Sequence, residues 1–362
     1  MDNRIRNIIA QFALEGTPTD VRPLGNGLIN DTYKVETAEA GQPGYVLQRI
    51  NNAVFTDVDL LQDNIEKVTT HIRKKLLDKG QTDIDRHVLR FMPEKTTEKT
   101  YYRADDGTYW RVMVFIDHAV TYEQVNADTS REAGKAFGEF EGMLTDLPYS
   151  LGETIPDFHN MELRARQFDE ALHNDVKGRS QEVEDIIATL QRDMTEMCQA
   201  ERLHREGKLP KRICHCDTKV NNMMYDEAGQ PLCVIDLDTV MPSYVFSDYG
   251  DFLRTAANAV AEDDPHIDQV SFRMDIFEAF TQGYLEGTAN FLTPIERDHL
   301  PFAAALFPFM QCVRFLTDYL NGDTYYRIRY PEHNLVRTRN QLALYLDVRQ
   351  KEQQMKEWIE KA

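Results

Sequence analysis

Three polar residues of one short stretch have the types and spacing for chemistry on a phosphate. His215, Asp217 and Asn222 fall in the pattern H-x-D-x-x-x-x-N, and Asp236 follows a second short apolar run, Leu232 to Ile235. Between them Asp226-Glu227-Ala228-Gly229-Gln230-Pro231 is a turn by composition. The spacing predicts two antiparallel strands with Asn222 and Asp236 close together and Asp217 just before the first. A base, an amide oxygen and a carboxylate gathered in this way suit phosphoryl transfer from a nucleotide held by magnesium. Asp217 would accept or orient the proton of an attacking hydroxyl, and the loose transition state asks little of its basicity. Asn222 would offer the metal a neutral oxygen and Asp236 a charged one, the hard ligands that magnesium takes. Asp238 shares a strand face with Asp236 if the strand continues, and could serve a second ion through water or cap a turn. His215 reads as a packing and hydrogen-bonding group of the loop. Lys219 reads as a neutraliser of the transferring phosphate or as a solvated charge.

The rest of the chain must position these groups. With 362 residues it is long enough for two lobes and a sizeable core. The net charge of -19, from 41 basic and 60 acidic side chains, argues against nucleic acid and anionic membranes as partners. The N-terminal residues lack the apolar centre of a signal peptide, and the apolar runs read as too short to cross a bilayer. Five cysteines, few and odd in number, read as reduced thiols of a cytoplasmic protein. Cys214-His215-Cys216 hints at zinc, but adjacent strand residues face opposite ways and no second pair completes a site, so packing is the better reading.

The first third is predicted as strands and two helices. Residues 3–14 carry an apolar stripe of helical spacing, and Val21 to Leu24 and Thr32 to Thr37 read as strands around Gly25-Asn26-Gly27. Gly25 and Gly27 would let backbone amides approach a phosphate, although on this stretch alone an ordinary hairpin turn is the better reading. A third strand follows at Tyr45 to Ile50, then a helix at 57–77. Glu66 on that helix is either solvated or faces a cation on the third strand. Further strands are expected at His87 to Phe91, around Tyr101, and at Tyr109 to Phe115, the last two joined by an Asp105-Asp106-Gly107 turn.

After Thr121 the pattern becomes helical: 128–146 with Thr129 or Ser130 as cap, 162–174, 181–207, then 247–258, 267–287, 294–307, 309–320 and 333–360. Pro301 and Pro308 read as kinks or boundaries. The P-loop motif, the G-x-S-x-G elbow and H-E-x-x-H are all absent from the sequence.

Several runs resemble the aminoglycoside phosphotransferase and choline kinase group of protein-kinase-like enzymes, and within it the bacterial N-acetylhexosamine 1-kinases. These are Gly25 to Tyr33, Tyr45 to Gln48, His215 to Asn222, Ile235 to Pro242, Arg314 to Leu320 and Tyr330 to Arg339. The resemblance implies an α+β, protein-kinase-like two-lobed fold, with a β-rich nucleotide-binding lobe at 1–117 and a mainly helical catalytic lobe at 118–362. It implies ATP and Mg2+ as cofactors, with Asp217 as base and Asn222 and Asp236 on the metal. Gly25, Gly27, Gln48 and Glu66 would serve the nucleotide, and the backbone from Phe115 to Asp117 would meet adenine. Arg314 and Tyr325 would line the pocket of a small-molecule sugar.

Two departures stand out. Gln48 occupies the position of the phosphate-binding lysine of protein kinases, and Leu28 stands where the sugar-kinase loop can carry a histidine. The expected reaction is phosphorylation of the anomeric hydroxyl of N-acetylglucosamine or N-acetylgalactosamine. The alternatives are the same fold acting on an aminoglycoside, homoserine, choline or another sugar, and a kinase-like binding protein without catalysis. The overall negative charge would attract cationic acceptors, but the local charge of the pocket decides.

Overall fold

The computed structural model describes residues 3–24 and 30–362; Gly25, Gly27 and Leu28 lie outside the described residues. In chain order the first elements are α1 (Asn3–Ile9), β1 (Pro18–Pro23), β2 (Asp31–Thr37), β3 (Tyr45–Ile50), α2 (Val58–Asp78), β4 (Tyr102–Arg103), β5 (Tyr109–Val114) and β6 (Ala119–Val120). Then come α3 (Ala127–Leu144), α4 (Met161–Asn174), α5 (Glu184–Met197), α6 (Gln199–Arg205), β7 (Arg212–Cys214), β8 (Met223–Asp226), β9 (Pro231–Val234) and β10 (Met241–Ser243). The chain ends with α7 (Val245–Ala256), α8 (Met274–Thr288), α9 (Pro294–Asp298), α10 (Leu300–Leu320) and α11 (His333–Lys361).

The elements fall into two compact units, neither continuous in sequence. The first comprises Met1–Thr121, Asp146–Pro156 and Met223–Met241; the second comprises Tyr122–Thr145, Asp157–Asn222 and Pro242–Ala362. The expected boundary after 117 thus compares with a first segment that reaches Thr121 and is joined by two later segments.

The first unit is built on an antiparallel sheet in the order β1-β2-β3-β5-β4. β-Branched and aromatic residues supply its core face: Val35, Tyr45, Leu47, Trp110, Val112 and Val114 are buried with Ile8, Ile9 and Phe12. α2 starts on Asp57, whose carboxylate accepts the Leu60 N–H, and buries Val58, Leu61, Ile65, Val68 and Ile72 at helical spacing. Asn64 of α2 is also fully buried and donates to the Gly152 and Val240 carbonyls, tying the helix to both later segments of the unit. β8 and β9 form the expected hairpin, with Met223 opposite Val234, and β6 pairs with β8.

The second unit is helical. α3 and α8 pack closely because glycines face backbone: a Cβ on Gly283 would lie 1.9 Å from the Arg131 carbonyl oxygen, and one on Gly134 2.2 Å from that of Phe280. α10 is buried along nearly its whole length and packs on α4, α7 and α11.

Several local expectations are corrected. The first helix ends at Ile9, and Phe12 instead bridges to Glu94. His87 to Phe91 makes only an isolated bridge, Phe91 to Met113, because a 3-10 turn at Ile84–Arg86 leads into it. α3 is capped by Asn126, not Thr129 or Ser130: its amide oxygen accepts the Thr129 N–H while the Thr129 hydroxyl accepts the Asn126 N–H. The 181–207 stretch is a 3-10 turn and two helices broken at Cys198. The 267–287 helix begins at Met274.

Pro308 does not divide α10, which runs unbroken and is long and apolar enough to cross a membrane by length and composition, contrary to the short runs expected. Most of it is buried inside the protein, where packing on every side outweighs the one backbone hydrogen bond a proline removes.

Candidate active site

The second unit holds the segment around Asp217. β7 ends at Cys214, and the chain then turns sharply, with Cys216 in the left-handed region at φ 63°. Such a conformation is unfavourable for a residue with a Cβ and needs fixing from outside. Asp248 in the first turn of α7 does this: its two carboxylate oxygens accept the His215 and Cys216 N–H groups, each at 2.7 Å. Its carbonyl also accepts the Thr218 hydroxyl at 2.6 Å.

Asp248 is itself buried beside Glu141, which accepts the Tyr284 hydroxyl at 2.8 Å. Burial and then the nearby Asp248 charge hold the Glu141 carboxyl well above the usual carboxylate range, and burial raises Asp248 as well. Glu141, Cys214 and Asp248 could bring three ligand atoms together. Burial raises the Cys214 thiol far above its ordinary value, and Asp248 is committed to the loop, so the group packs and does not read as a metal site.

Asp217 is largely sheltered, and Lys219 Nζ sits 2.7 Å from Oδ1 and 2.9 Å from Oδ2. Lys219 is thus paired with the expected base, and only half exposed to solvent. Asn222 donates Nδ2 to the Asp217 carbonyl at 2.7 Å and to its carboxylate at 3.2 Å. That uses the nitrogen and leaves Asn222 Oδ1 with no hydrogen-bond donor among the described residues. An amide oxygen so presented is the donor a magnesium ion takes. His215 is fully buried against Phe137 and Phe140, and its Nδ1 accepts the Asp217 N–H at 3.3 Å, a packing and loop-holding role.

Farther along the same unit lies a cationic, aromatic cluster. Arg314 on α10 lies over the rings of Phe158 and Tyr326, at 5.4 and 5.6 Å, and among the described residues its side-chain hydrogen-bond partner is Gln311. Arg164 donates to the Phe158 and Asp157 carbonyls and to Gln167. Neither arginine has an ion pair among the described residues. The Arg164 Nε and the Tyr326 hydroxyl are buried without partners. Burial and the neighbouring Arg314 charge lower Arg164 to about 10. His159, stacked on Phe158 and bonded to Ser247, is pushed well below the usual imidazole range first by burial and then by Arg314, Arg164 and Arg254. Arg254 differs, since Asp251 and Glu262 pair with it. Tyr325 is 69% exposed, on a loop whose backbone N–H groups at Thr324, Tyr325 and Tyr326 are collected by Asp318.

The first unit holds the remaining predicted residues. Asp236 follows β9 in the left-handed region, at φ 60° and ψ 55°, and the chain enters a 3-10 turn, Leu237–Thr239. The strand therefore does not persist to Asp238, and the expected shared strand face is not formed. Asp238 is instead buried, with Oδ1 2.6 Å from Arg111 NH1 and Oδ2 accepting Asn30 Nδ2 at 2.8 Å. Gln48 donates to the Thr32 hydroxyl and accepts two bonds from Arg111.

Glu66 makes no ion pair among the described residues: it is exposed on α2, beside the stripe of Leu61, Ile65 and Val68 that the helix buries. Phe115 gives its N–H to the Gly44 carbonyl and takes Lys34 over its ring at 4.0 Å, while Asp117 is exposed. Arg111, Asn30, Asp248 and Arg164 were not singled out in the sequence. Arg111 alone had a signal, a charged residue in the middle of an apolar strand.

The family described as "Phosphotransferase enzyme family" matches residues 20–288. Among solved structures, an aminoglycoside phosphotransferase from Alicyclobacillus acidocaldarius aligns at a TM-score of 0.65 with 11% identity, covering 99% of this chain and 96% of that one. An amicoumacin kinase in complex with AMP-PNP, Ca2+ and Ami aligns at 0.59 with 14% identity, covering 97% of each chain. A choline kinase from Cryptosporidium parvum aligns at 0.57 with 14% identity, covering 94% and 93%. At such identities the likeness carries the fold, which is the protein-kinase-like α+β class expected.

Proposed function

Because this chain belongs to the phosphotransferase enzyme family, we propose that it is an ATP- and Mg2+-dependent kinase acting on the anomeric hydroxyl of N-acetylglucosamine or N-acetylgalactosamine. Asp217 accepts the proton from the sugar O1 as O1 bonds to the γ-phosphorus of ATP, the bond from that phosphorus to the β–γ bridging oxygen breaks and ADP leaves. Asn222, with its nitrogen committed to Asp217, gives its oxygen to magnesium, and Asp236 gives a carboxylate oxygen. The ion, when bound, neutralises charge on the nucleotide phosphates. Gly25 and Gly27, outside the described residues, are the candidates by sequence for contact with those phosphates. The Phe115 N–H is taken by Gly44, so adenine meets the remaining backbone groups as far as Asp117.

The observation that favours a sugar over a cationic acceptor is that Arg164 and Arg314 stand together, neither in an ion pair among the described residues. An ammonium or choline group brought there meets two like charges, against which the Asp157 carboxylate near Arg164 is a lesser opposing one. A sugar instead offers hydroxyl and acetamido oxygens to donors such as Arg314, and a face to Tyr325. The -19 of the whole chain points the other way, toward cations, but it is spread over the surface and screened.

A panel of N-acetylglucosamine, N-acetylgalactosamine, glucosamine, choline and kanamycin with ATP and magnesium tests the reading. Sugar 1-phosphates identified by phosphorus–proton NMR are expected from the acetylated sugars, at rates at least tenfold above the cationic acceptors. Turnover of a cationic alcohol, with none of either acetylated sugar, would overturn it.

A further inference from the structure

We propose that Arg111 is the positioning residue for the 236–239 metal turn and that Gln48 serves Arg111, not the nucleotide phosphates. This rests on the kinase reading above. Arg111 sits in the middle of β5, with 2% of its side chain exposed, where an unpaired guanidinium is not tolerated. Its charge is met by Asp238 at 2.6 Å. Its Nε and NH2 both donate to Gln48 Oε1, at 3.0 and 2.8 Å, a fork that fixes the plane of the guanidinium.

The partners are fixed in turn. Gln48 Nε2 donates to Thr32 Oγ1, Asn30 bridges Asp238 to the Asn51 N–H, and the Thr154 hydroxyl donates to the Asp238 carbonyl. Asp238 is therefore hydrogen-bonded at Oδ2 and at its carbonyl, and its Oδ1 lies in ion-pair contact with Arg111. Two residues earlier Asp236 takes the left-handed conformation, φ 60°, that starts the turn, one open to aspartate but costlier than for glycine. The clamp on Asp238 holds the far side of that turn, and so sets where the Asp236 carboxylate stands.

The same geometry explains the missing lysine. Position 48 faces a buried cation, so the side chain there must accept hydrogen bonds. A lysine would remove the acceptor and put a second positive charge beside Arg111, with one carboxylate for both. The substitution that restores the protein-kinase pattern is therefore the harmful one here. Exchanging the two groups, Gln48→Lys with Arg111→Gln, keeps one cation and one amide beside Asp238.

The test uses the full chain and four variants, Q48K, R111Q, the Q48K/R111Q exchange, and Q48M as a milder loss of the acceptor. Binding of ADP without metal is measured by calorimetry, manganese binding to the ADP-loaded protein by electron paramagnetic resonance, and folding by thermal unfolding. Q48K and R111Q are expected to weaken manganese binding at least tenfold while metal-free ADP binding changes less than threefold. Q48M should weaken manganese binding by a smaller factor, and the exchange should recover most of the Q48K loss. A role limited to stability would lower the melting temperature and leave manganese affinity per folded molecule unchanged, which overturns the proposal. Tighter ADP binding by Q48K overturns it as well. If Q48K does not fold, unchanged manganese binding in Q48M decides against it. Failure of the unaltered protein to bind nucleotide would remove the kinase reading itself, and is seen separately in that first measurement.

Discussion

Asn222 turns its amide nitrogen to Asp217, donating to the carbonyl at 2.7 Å and the carboxylate at 3.2 Å, so that one side chain both orients the proposed base and keeps an oxygen for a cation. The pattern H-x-D-x-x-x-x-N places the two residues within one loop, and Asp248 fixes the loop's backbone from beneath.

Replacing Asp217 by Asn should remove the proton acceptor while keeping a side chain that Asn222 and Lys219 can still approach. The expected loss in kcat is roughly a hundred- to ten-thousand-fold, with KM for ATP changed little. Steady-state kinetics on the acetylated sugars checks this, and a variant with near-normal kcat would remove Asp217 from the reaction.

Glu201 gives a pH-dependent stability far from the reaction. Its carboxylate is buried and accepts the Met161 N–H at 2.8 Å, and burial lifts it from its ordinary value of 4.5 to about 7. The folded chain thus binds a proton that the unfolded chain has released between those values, so stability is full below about 4.5 and falls as pH rises through about 7. The loss attributable to this group is roughly 3 kcal/mol. Glu201→Gln keeps an acceptor for Met161 and should flatten that slope. Urea unfolding at pH 5 and pH 8 reads it directly, and an equal slope in both proteins would contradict the assignment.

Arg212 and Glu296 form a two-pronged ion pair, both bonds 2.9 Å, with the Glu296 side chain fully buried while it also completes the Thr293 capping box. Arg212→Met strands that carboxylate and should cost about 3–5 kcal/mol. Thr293→Ala removes the cap and one hydrogen bond to that carboxylate but leaves the ion pair, and should cost about 1–2 kcal/mol. Denaturation midpoints of the two variants measure the contrast, and equal losses would refute it.

Gly283→Ala should separate α3 from α8. The added methyl would stand 1.9 Å from the Arg131 carbonyl oxygen, a backbone atom that cannot swing aside. The expected destabilisation is about 3 kcal/mol or more. The same change at Gly41 meets nothing within 4 Å and only the strain of its positive φ, so its cost should be smaller. Thermal unfolding of both variants tests the order.

The sequence by itself determined the parts of this protein that are local. Strand alternation at Tyr45 to Ile50, the apolar stripe of α2, and the Asp226 to Pro231 turn between two apolar runs all took the form their side-chain periods require. The loop from His215 to Asn222 was legible for the same reason, since its residues reach each other across only a few bonds. Long-range pairing had no such trace. Whether α2 turned Glu66 or Asn64 inward depended on what packed against it. The fate of Asp238 depended on Arg111 and Asn30, and the continuity of α10 through Pro308 on the helices around it. Tertiary structure decided these because a buried charge or amide settles where distant segments supply its partners, and those partners share no local period with it.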